Sequence, residues 1–202
     1  EIPSSSTKLD FAADIHNNIV YSGMNINTTG RNNITMQLLP VIQFSDSLGR
    51  MKTDISLRKS SAVINDTTWT ISPSRISLYE KNIECHDVKF ANDNANSFLA
   101  IDGKASESPE DSLVATLKNL EIKYLLTLVN FHVVRFAGKA SGQATVNNVL
   151  GGGTPNIHAE LFVEDLSIQE GPLGNANITA HWDEKVEGIS VEGRIVDLYS
   201  VP

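Results

Sequence analysis

The residues best placed by type and spacing to do chemistry are Gly138-Lys-Ala-Ser-Gly142, the five histidines and the acidic stretch Glu107-Ser-Pro-Glu-Asp-Ser112. A nucleophile elbow holds its serine midway between two glycines on a strained turn. Here Gly138 stands three residues before Ser141 and Gly142 directly after it, and the flanking alternation sets Ser141 inside a strand. That spacing does not build an esterase site. His16, His86, His132, His158 and His181 are scattered, with no HExxH or paired-ligand spacing. Cys85 and His86 are neighbours that a strand would send to opposite faces, and Asp14 with His16 is an ordinary same-face pair. Glu107, Glu110 and Asp111 read as a solvated turn without the graded ligand spacing of a calcium loop. Gly151-Gly-Gly153 lacks the Lys-Ser/Thr of a phosphate cradle. Four Asn-x-Ser/Thr sites, at Asn27, Asn33, Asn65 and Asn177, arise easily in an Asn-rich chain. No catalytic constellation assembles, so the chain is expected to be no enzyme, to hold no metal or cofactor, and to act through shape and surface.

The composition of the 202 residues, 41% hydrophobic and 20% charged, is that of a folded globular or elongated domain. A formal net charge of −8, with no basic run interleaved with aromatics, opposes binding to phosphate backbones, so nucleic acid is excluded as a partner class. Cys85 is the only cysteine, which rules out an internal disulfide and leaves the redox compartment open. The sequence starts at Glu1 and contains neither a signal peptide nor an apolar run long enough to span a bilayer. It is expected to be a segment of something longer, with any membrane anchor outside it.

Period-two alternation runs through nearly the whole chain, as in Leu9 to Ile15, Ile34 to Phe44, Phe98 to Ala105 and Ile189 to Ile195. The expected class is all-β. Turn formers at Asn27-Thr-Thr-Gly30, Asn92-Asp-Asn94, Gly151 to Pro155 and Glu170 to Gly174 are expected to separate strands. In Leu120 to Val129 the apolar Ile122, Leu125, Leu126 and Val129 follow helical spacing, which predicts one short helix near 120–130. Gly103-Lys-Ala-Ser106 echoes Gly138-Lys-Ala-Ser141, suggesting successive strands of similar design. One face of Phe136 to Val146 carries Phe136, Gly138, Ala140, Gly142, Ala144 and Val146. Small residues of this kind suit a floor where a sheet bends sharply.

The order of segments from Trp69 to Asp197 resembles a family. Trp69-Thr-Ile-Ser-Pro-Ser-Arg-Ile-Ser-Leu78 precedes Ile83-Glu-Cys-His-Asp-Val-Lys-Phe90 and Phe98-Leu-Ala-Ile-Asp-Gly-Lys-Ala105. Pro109-Glu-Asp-Ser-Leu113 and Leu117-Lys-Asn-Leu-Glu-Ile-Lys-Tyr-Leu125 follow, then Phe136-Ala-Gly-Lys-Ala-Ser-Gly142. Leu161-Phe-Val-Glu-Asp-Leu166, Gly171-Pro-Leu-Gly-Asn-Ala176, His181-Trp-Asp183 and Ile189-Ser-Val-Glu-Gly193 close the series. The series is similar to the large TamB proteins of Bacteroidetes, relatives of the AsmA-type envelope proteins. The resemblance implies a periplasmic protein anchored in the inner membrane, whose long β-sheet folds lengthwise into a taco-like apolar trough. It also implies phospholipid acyl chains as cargo, transport between the inner and outer membranes or outer-membrane protein assembly, and an Omp85-type barrel partner. It carries no catalytic residues.

On this reading residues 1–68 form a strand-rich N-terminal part and 69–202 the trough segment of one continuous elongated, strongly curved sheet. The groove candidates are Phe136, Ala140, Ala144, Val146, Leu161, Val163, Ile178, Ala180, Trp182, Ile189, Val191 and Ile195. Either they line an open trough or they meet one another as a closed core. The competing functions are a scaffold whose sheet edge pairs with nascent outer-membrane strands, and an extracellular carbohydrate-binding β-sandwich.

Overall fold

The computed structural model describes residues 6–29, 33–47, 49–64, 66–92, 94, 96–123, 135–151, 154, 156–169 and 171–197. They form fifteen strands in one sheet: β1 (Ser6–His16), β2 (Ile19–Thr29), β3 (Ile34–Leu38), β4 (Pro40–Ser47), β5 (Arg50–Leu57), β6 (Ser60–Ile64), β7 (Thr67–Ile71) and β8 (Ser74–Tyr79), then β9 (Asn82–Asn92), β10 (Ser97–Ala105), β11 (Ser112–Glu121), β12 (Phe136–Asn147), β13 (Asn156–Ile168), β14 (Gly171–Asp183) and β15 (Gly188–Asp197). Every pairing is antiparallel.

Beneath the count lies a simpler plan. β2 pairs with both β3 and β4, β3 with β6, β4 with β5, β5 with β8 and β6 with β7, while β9 receives both β7 and β8 on one edge. Thus β3–β4, β5–β6 and β7–β8 each act as one long strand with a break in it, and the fifteen strands make twelve rungs of an up-and-down meander. Residues on both sides of position 68 lie in this sheet.

Tight turns join many of the rungs. Asn17 and Asn18, at φ 46° and 62°, close the first hairpin in the left-handed pair that matches strand twist. Two expected breaks are shorter than the turn residues suggest. Asn27 to Thr29 remain in β2 and Gly171 to Gly174 open β14. Ile122 and Lys123 are helical, whereas Leu120 and Glu121, expected in that helix, close β11; residues 124–134 lie outside the described set.

The sheet curves, and its sequence supplies the means. In β9, β11 and β13 one extra residue interrupts the ladder: Asp87, Asn119 and Asp165, at φ 55°, 47° and 52°. Such bulges bend a strand and raise its twist. Each leaves a backbone N–H without its ladder partner, and each N–H donates instead to a side chain on the next rung. Asp87 N–H meets Asp102 Oδ1 at 2.8 Å, Asn119 N–H meets Ser141 Oγ at 2.9 Å, and Asp165 N–H meets Asn175 Oδ1 at 3.2 Å. The break between β3 and β4 uses the same device, with Leu39 N–H donating to Ser60 Oγ at 3.1 Å.

A left-handed glycine faces each bulge. Gly103 (φ 112°) pairs with Cys85, Gly142 (φ 145°) with Leu117, and Gly174 (φ 100°) with Leu166. A Cβ on Gly142 would lie 2.1 Å from the Glu160 carbonyl oxygen of β13, so the neighbouring backbone occupies the space of a side chain. Gly103 and Gly142 are therefore required by strand-to-strand approach at bends. Gly142→Ala is expected to lower stability by at least about 2 kcal/mol through backbone strain and overpacking. Gly193→Ala, with nothing within 4 Å of the added methyl, should change it by under about 0.5 kcal/mol. Urea unfolding of the two variants measures the difference, and equal losses would contradict this account.

Candidate functional site

Cross-strand register sorts the side chains into two faces. Starting from Ile15, the paired residues are Val20, Ile42, Ile55, Ile76, Cys85, Gly103, Leu113, Val146 and Ile157. A parallel row links Val88, Ile101, Ala115, Ala144, Ala159, Ala180 and Val191. A third joins Ile71, Phe90, Leu99, Leu117, Gly142, Leu161, Ile178 and Gly193. Between these positions the opposite face presents Lys89, Ala100, Thr116, Gln143, Glu160, Thr179 and Glu192 in one row. One face is apolar over the width of the sheet, and the other is largely polar. Phe98 lies on the polar face beneath the Lys89 ammonium, 4.3 Å from the ring centre, which gives an aromatic there a favourable partner.

The twelve groove candidates share the apolar face but not one environment. Ala140 and Val163 are buried in a cluster with Ile122, Leu166 and Ala176, against which Phe136, Ile178 and Ile195 pack. Ala144, Val146, Leu161, Ala180 and Trp182 are half-buried. Ile189 and Val191, at 52% and 63%, are exposed. Near the β11–β13 bulges the face is closed core, and away from them it stays partly open. The sheet bends far enough for its own apolar face to meet itself: Ala62 of β6 and Trp69 of β7 pack with Leu117 and Leu120 of β11, and Leu161 of β13 packs against them.

The apolar face extends beyond the twelve candidates on the N-terminal side. The apolar face also includes Leu9, Phe11, Ile15, Val20, Ile42, Ile55 and Ile76, and a second buried cluster forms around Ala62, Trp69, Leu117 and Leu120. The signal was present as alternation. It went unread as a face because only register aligns one strand's alternation with the next. The bulges were legible too: Cys85-His-Asp-Val88, Leu117-Lys-Asn-Leu120 and Val163-Glu-Asp-Leu166 share the form apolar, charged or histidine, Asp or Asn, apolar. In each, three-residue spacing keeps both apolar residues buried on one face.

Cys85 and the histidines lie apart. Cys85 is buried on the apolar face, and burial first, then the Asp102 charge, pushes its thiol pKa up. His86 points to the other side, 3.8 Å from Glu84. His16 meets Asp14 at 3.1 Å in full exposure. No group of three or more His, Cys, Asp or Glu suited to a metal ion occurs among the described residues. On the polar face an open cavity of about 480 Å³ is lined by Lys52, Ser77, Tyr79, Asn82, Glu84 and Lys104. Beside it the Ser77 hydroxyl donates to Asp54, which with Lys52 and Arg75 holds that carboxyl below its usual pKa. Asp111 is lowered by Ser106 and by Lys104, 3.0 Å away. These groups form a ladder of charges along the polar face.

No helix among the described residues is long and apolar enough to cross a membrane. Comparison of the chain with protein-family models, with curated proteins and with solved structures finds no match.

A carboxylate whose folded pKa is lowered contributes stability above its unfolded pKa, and that stability is lost as pH falls through the folded value. Ser77→Ala removes the largest cause at Asp54. The variant is expected to lose more stability at pH 7 than at pH 3, measured by urea unfolding at both; an equal loss at both would show that the hydroxyl acts only by packing.

Proposed function

We propose that the apolar face is the lipid-contacting wall of a conduit, and that the chain is a segment of a TamB-like, AsmA-related envelope protein. In this reading the parent is anchored in the inner membrane and spans the periplasm, with an Omp85-type barrel at the outer membrane. It moves phospholipid between the two membranes and, through that, serves outer-membrane assembly. The observation that carries the reading is one apolar face continued through row after row of a single curved sheet, with Ala144, Val146, Leu161, Ala180 and Trp182 on it left half-open. Contiguous apolar surface of this extent is rarely left bare in soluble proteins and marks a binding surface. The ordered resemblance of Trp69 to Asp197 to the family supports the same conclusion.

The physics suits a sliding cargo. Each acyl methylene taken from water contributes about 0.8 kcal/mol. Rows of Leu, Ile, Val and Ala repeat that contact at every rung with no polar anchor among them, so a chain is held without being fixed in one place. A curve closing toward this face makes a trough, with the Lys, Glu and Gln of the other face in water.

Photocrosslinking tests the proposal. A benzoylphenylalanine at Val146, Leu161 or Ile178, in the purified chain mixed with phosphatidylethanolamine–phosphatidylglycerol vesicles, is expected to give phospholipid adducts by mass spectrometry. The same probe at Lys139 or Gln143 is expected to give at least about tenfold less, the factor that follows from about 1.4 kcal/mol of preference for the apolar face. Adducts at none of the three positions in folded protein, or equal adducts on both faces, would overturn it.

A further inference from the structure

The turns of the meander fall on two rims of the sheet. One rim holds the turns that follow β1, β4, β8, β10, β12 and β14, and the other holds those that follow β2, β6, β9, β11 and β13. Both buried apolar clusters of the described residues lie toward the second rim. Ala140, Val163, Leu166 and Ala176 come from the halves of β12, β13 and β14 nearest it, and Ala62, Trp69, Leu117 and Leu120 gather there from β6, β7 and β11. Toward the first rim the same face carries Ile42, Ile55, Ile76, Leu113, Val146 and Ile157, and all six are only half-buried. Phe44 and Met51, nearer still to that rim, are 39% and 70% exposed. Among the described residues the apolar face is thus packed shut along one rim and open along the other.

The open rim is also where charges of both signs meet. Arg50 pairs with Glu80 between the turns after β4 and β8, and Lys81 pairs with Glu107 between the turns after β8 and β10. An open cavity of about 330 Å³ is lined at these turn tips by Glu80, Lys81, Asn82, Ser106, Glu107 and Ser108. It shares Asn82 with the cavity of about 480 Å³ on the polar face. Exposed ion pairs add little to stability, so each partner can exchange for a ligand group at small cost. A carboxylate pair, an ammonium and hydroxyls around one cavity complement a ligand that itself carries both signs. A wholly anionic ligand would meet Glu80 and Glu107 there, on a chain whose net charge is −8.

We propose that phospholipid reaches the apolar face across this open rim and that the rim selects zwitterionic headgroups of the phosphoethanolamine class. The headgroup ammonium faces Glu80 and Glu107, the phosphate faces Lys81, and the acyl chains lie on Ile76, Leu113 and Val146. This inference rests on the reading of the apolar face as a lipid-contacting wall, and adds to it which rim admits the lipid and which headgroup is preferred.

Headgroup selection tests it. Benzoylphenylalanine at Val146, in the purified chain mixed with equimolar phosphatidylethanolamine–phosphatidylglycerol vesicles, is expected to give phosphatidylethanolamine adducts in at least about threefold excess, a preference of about 0.6 kcal/mol. The same probe at exposed Met51, on the open rim, is expected to capture lipid as well. Glu80→Lys combined with Glu107→Lys alters two exposed positions, makes the rim cationic, and is expected to reverse the headgroup preference. Glu160→Lys combined with Glu192→Lys changes the net charge equally at exposed positions of β13 and β15, away from those turns, and is expected to leave the preference as it was. Equal adducts from the two lipids at Val146, or a reversal by the remote pair as large as by the rim pair, would overturn the headgroup selection and leave the lipid-contacting wall standing. Adducts at Val146 with none at Met51 would overturn entry across this rim. Adducts at no position of the apolar face would overturn both the inference and the reading on which it rests.

Discussion

Every rung of this sheet must stay in phase with its neighbours, because one residue of slip would carry all the following apolar side chains to the opposite face. The rows from Ile15 to Ile157 and from Val88 to Val191 exist only because that phase is kept across many pairings. Curvature threatens it, since a bulge inserts a residue on one strand and none on its partner. The chain reconciles the two by putting the extra residue in the left-handed conformation. Asp87, Asn119 and Asp165 absorb the insertion, and Cys85 and Val88, Leu117 and Leu120, Val163 and Leu166 stay buried on the same side.

Asp and Asn suit that position for a physical reason. They enter the left-handed region more readily than other residues with a Cβ. The acceptors that replace the lost ladder bonds, Asp102, Ser141 and Asn175, come from the adjoining rung. A bend in one strand is thus written into the next, and the glycines at 103 and 142 let the backbones approach there. The breaks after β3, β5 and β7 carry the bend through the N-terminal half, with Arg58 N–H donating to the Leu39 carbonyl and Ser72 N–H to that of Lys89.

Bending a single layer leaves its apolar face with nothing but itself to pack against. Around Ala140, Val163 and Ala176 the bend is tight enough to bury side chains fully, and around Ala144, Leu161 and Ala180 it is not. That gradient gives the sheet both a fixed core and a half-open surface. The core holds the phase, and the surface is where an apolar cargo gains most from leaving water.

Sequence alone determined the class and the two-faced character, because a strand sends successive side chains to opposite sides whatever surrounds it. It also placed Ala140, Ala144 and Val146 on one side of their own strand, since alternation within a strand needs no partner. Tertiary structure decided the rest. That Ile15, Cys85 and Ile157 belong to one row depends on which backbone groups pair across strands, which alternation within a strand does not specify. The helix expected over 120–130 rested on the spacing of Ile122, Leu125, Leu126 and Val129, and pairing with β12 keeps Leu120 and Glu121 in the strand. Whether a given apolar residue is closed core or open surface was settled last, by the bend, because side chains on a single layer become buried only where its own curvature brings them together.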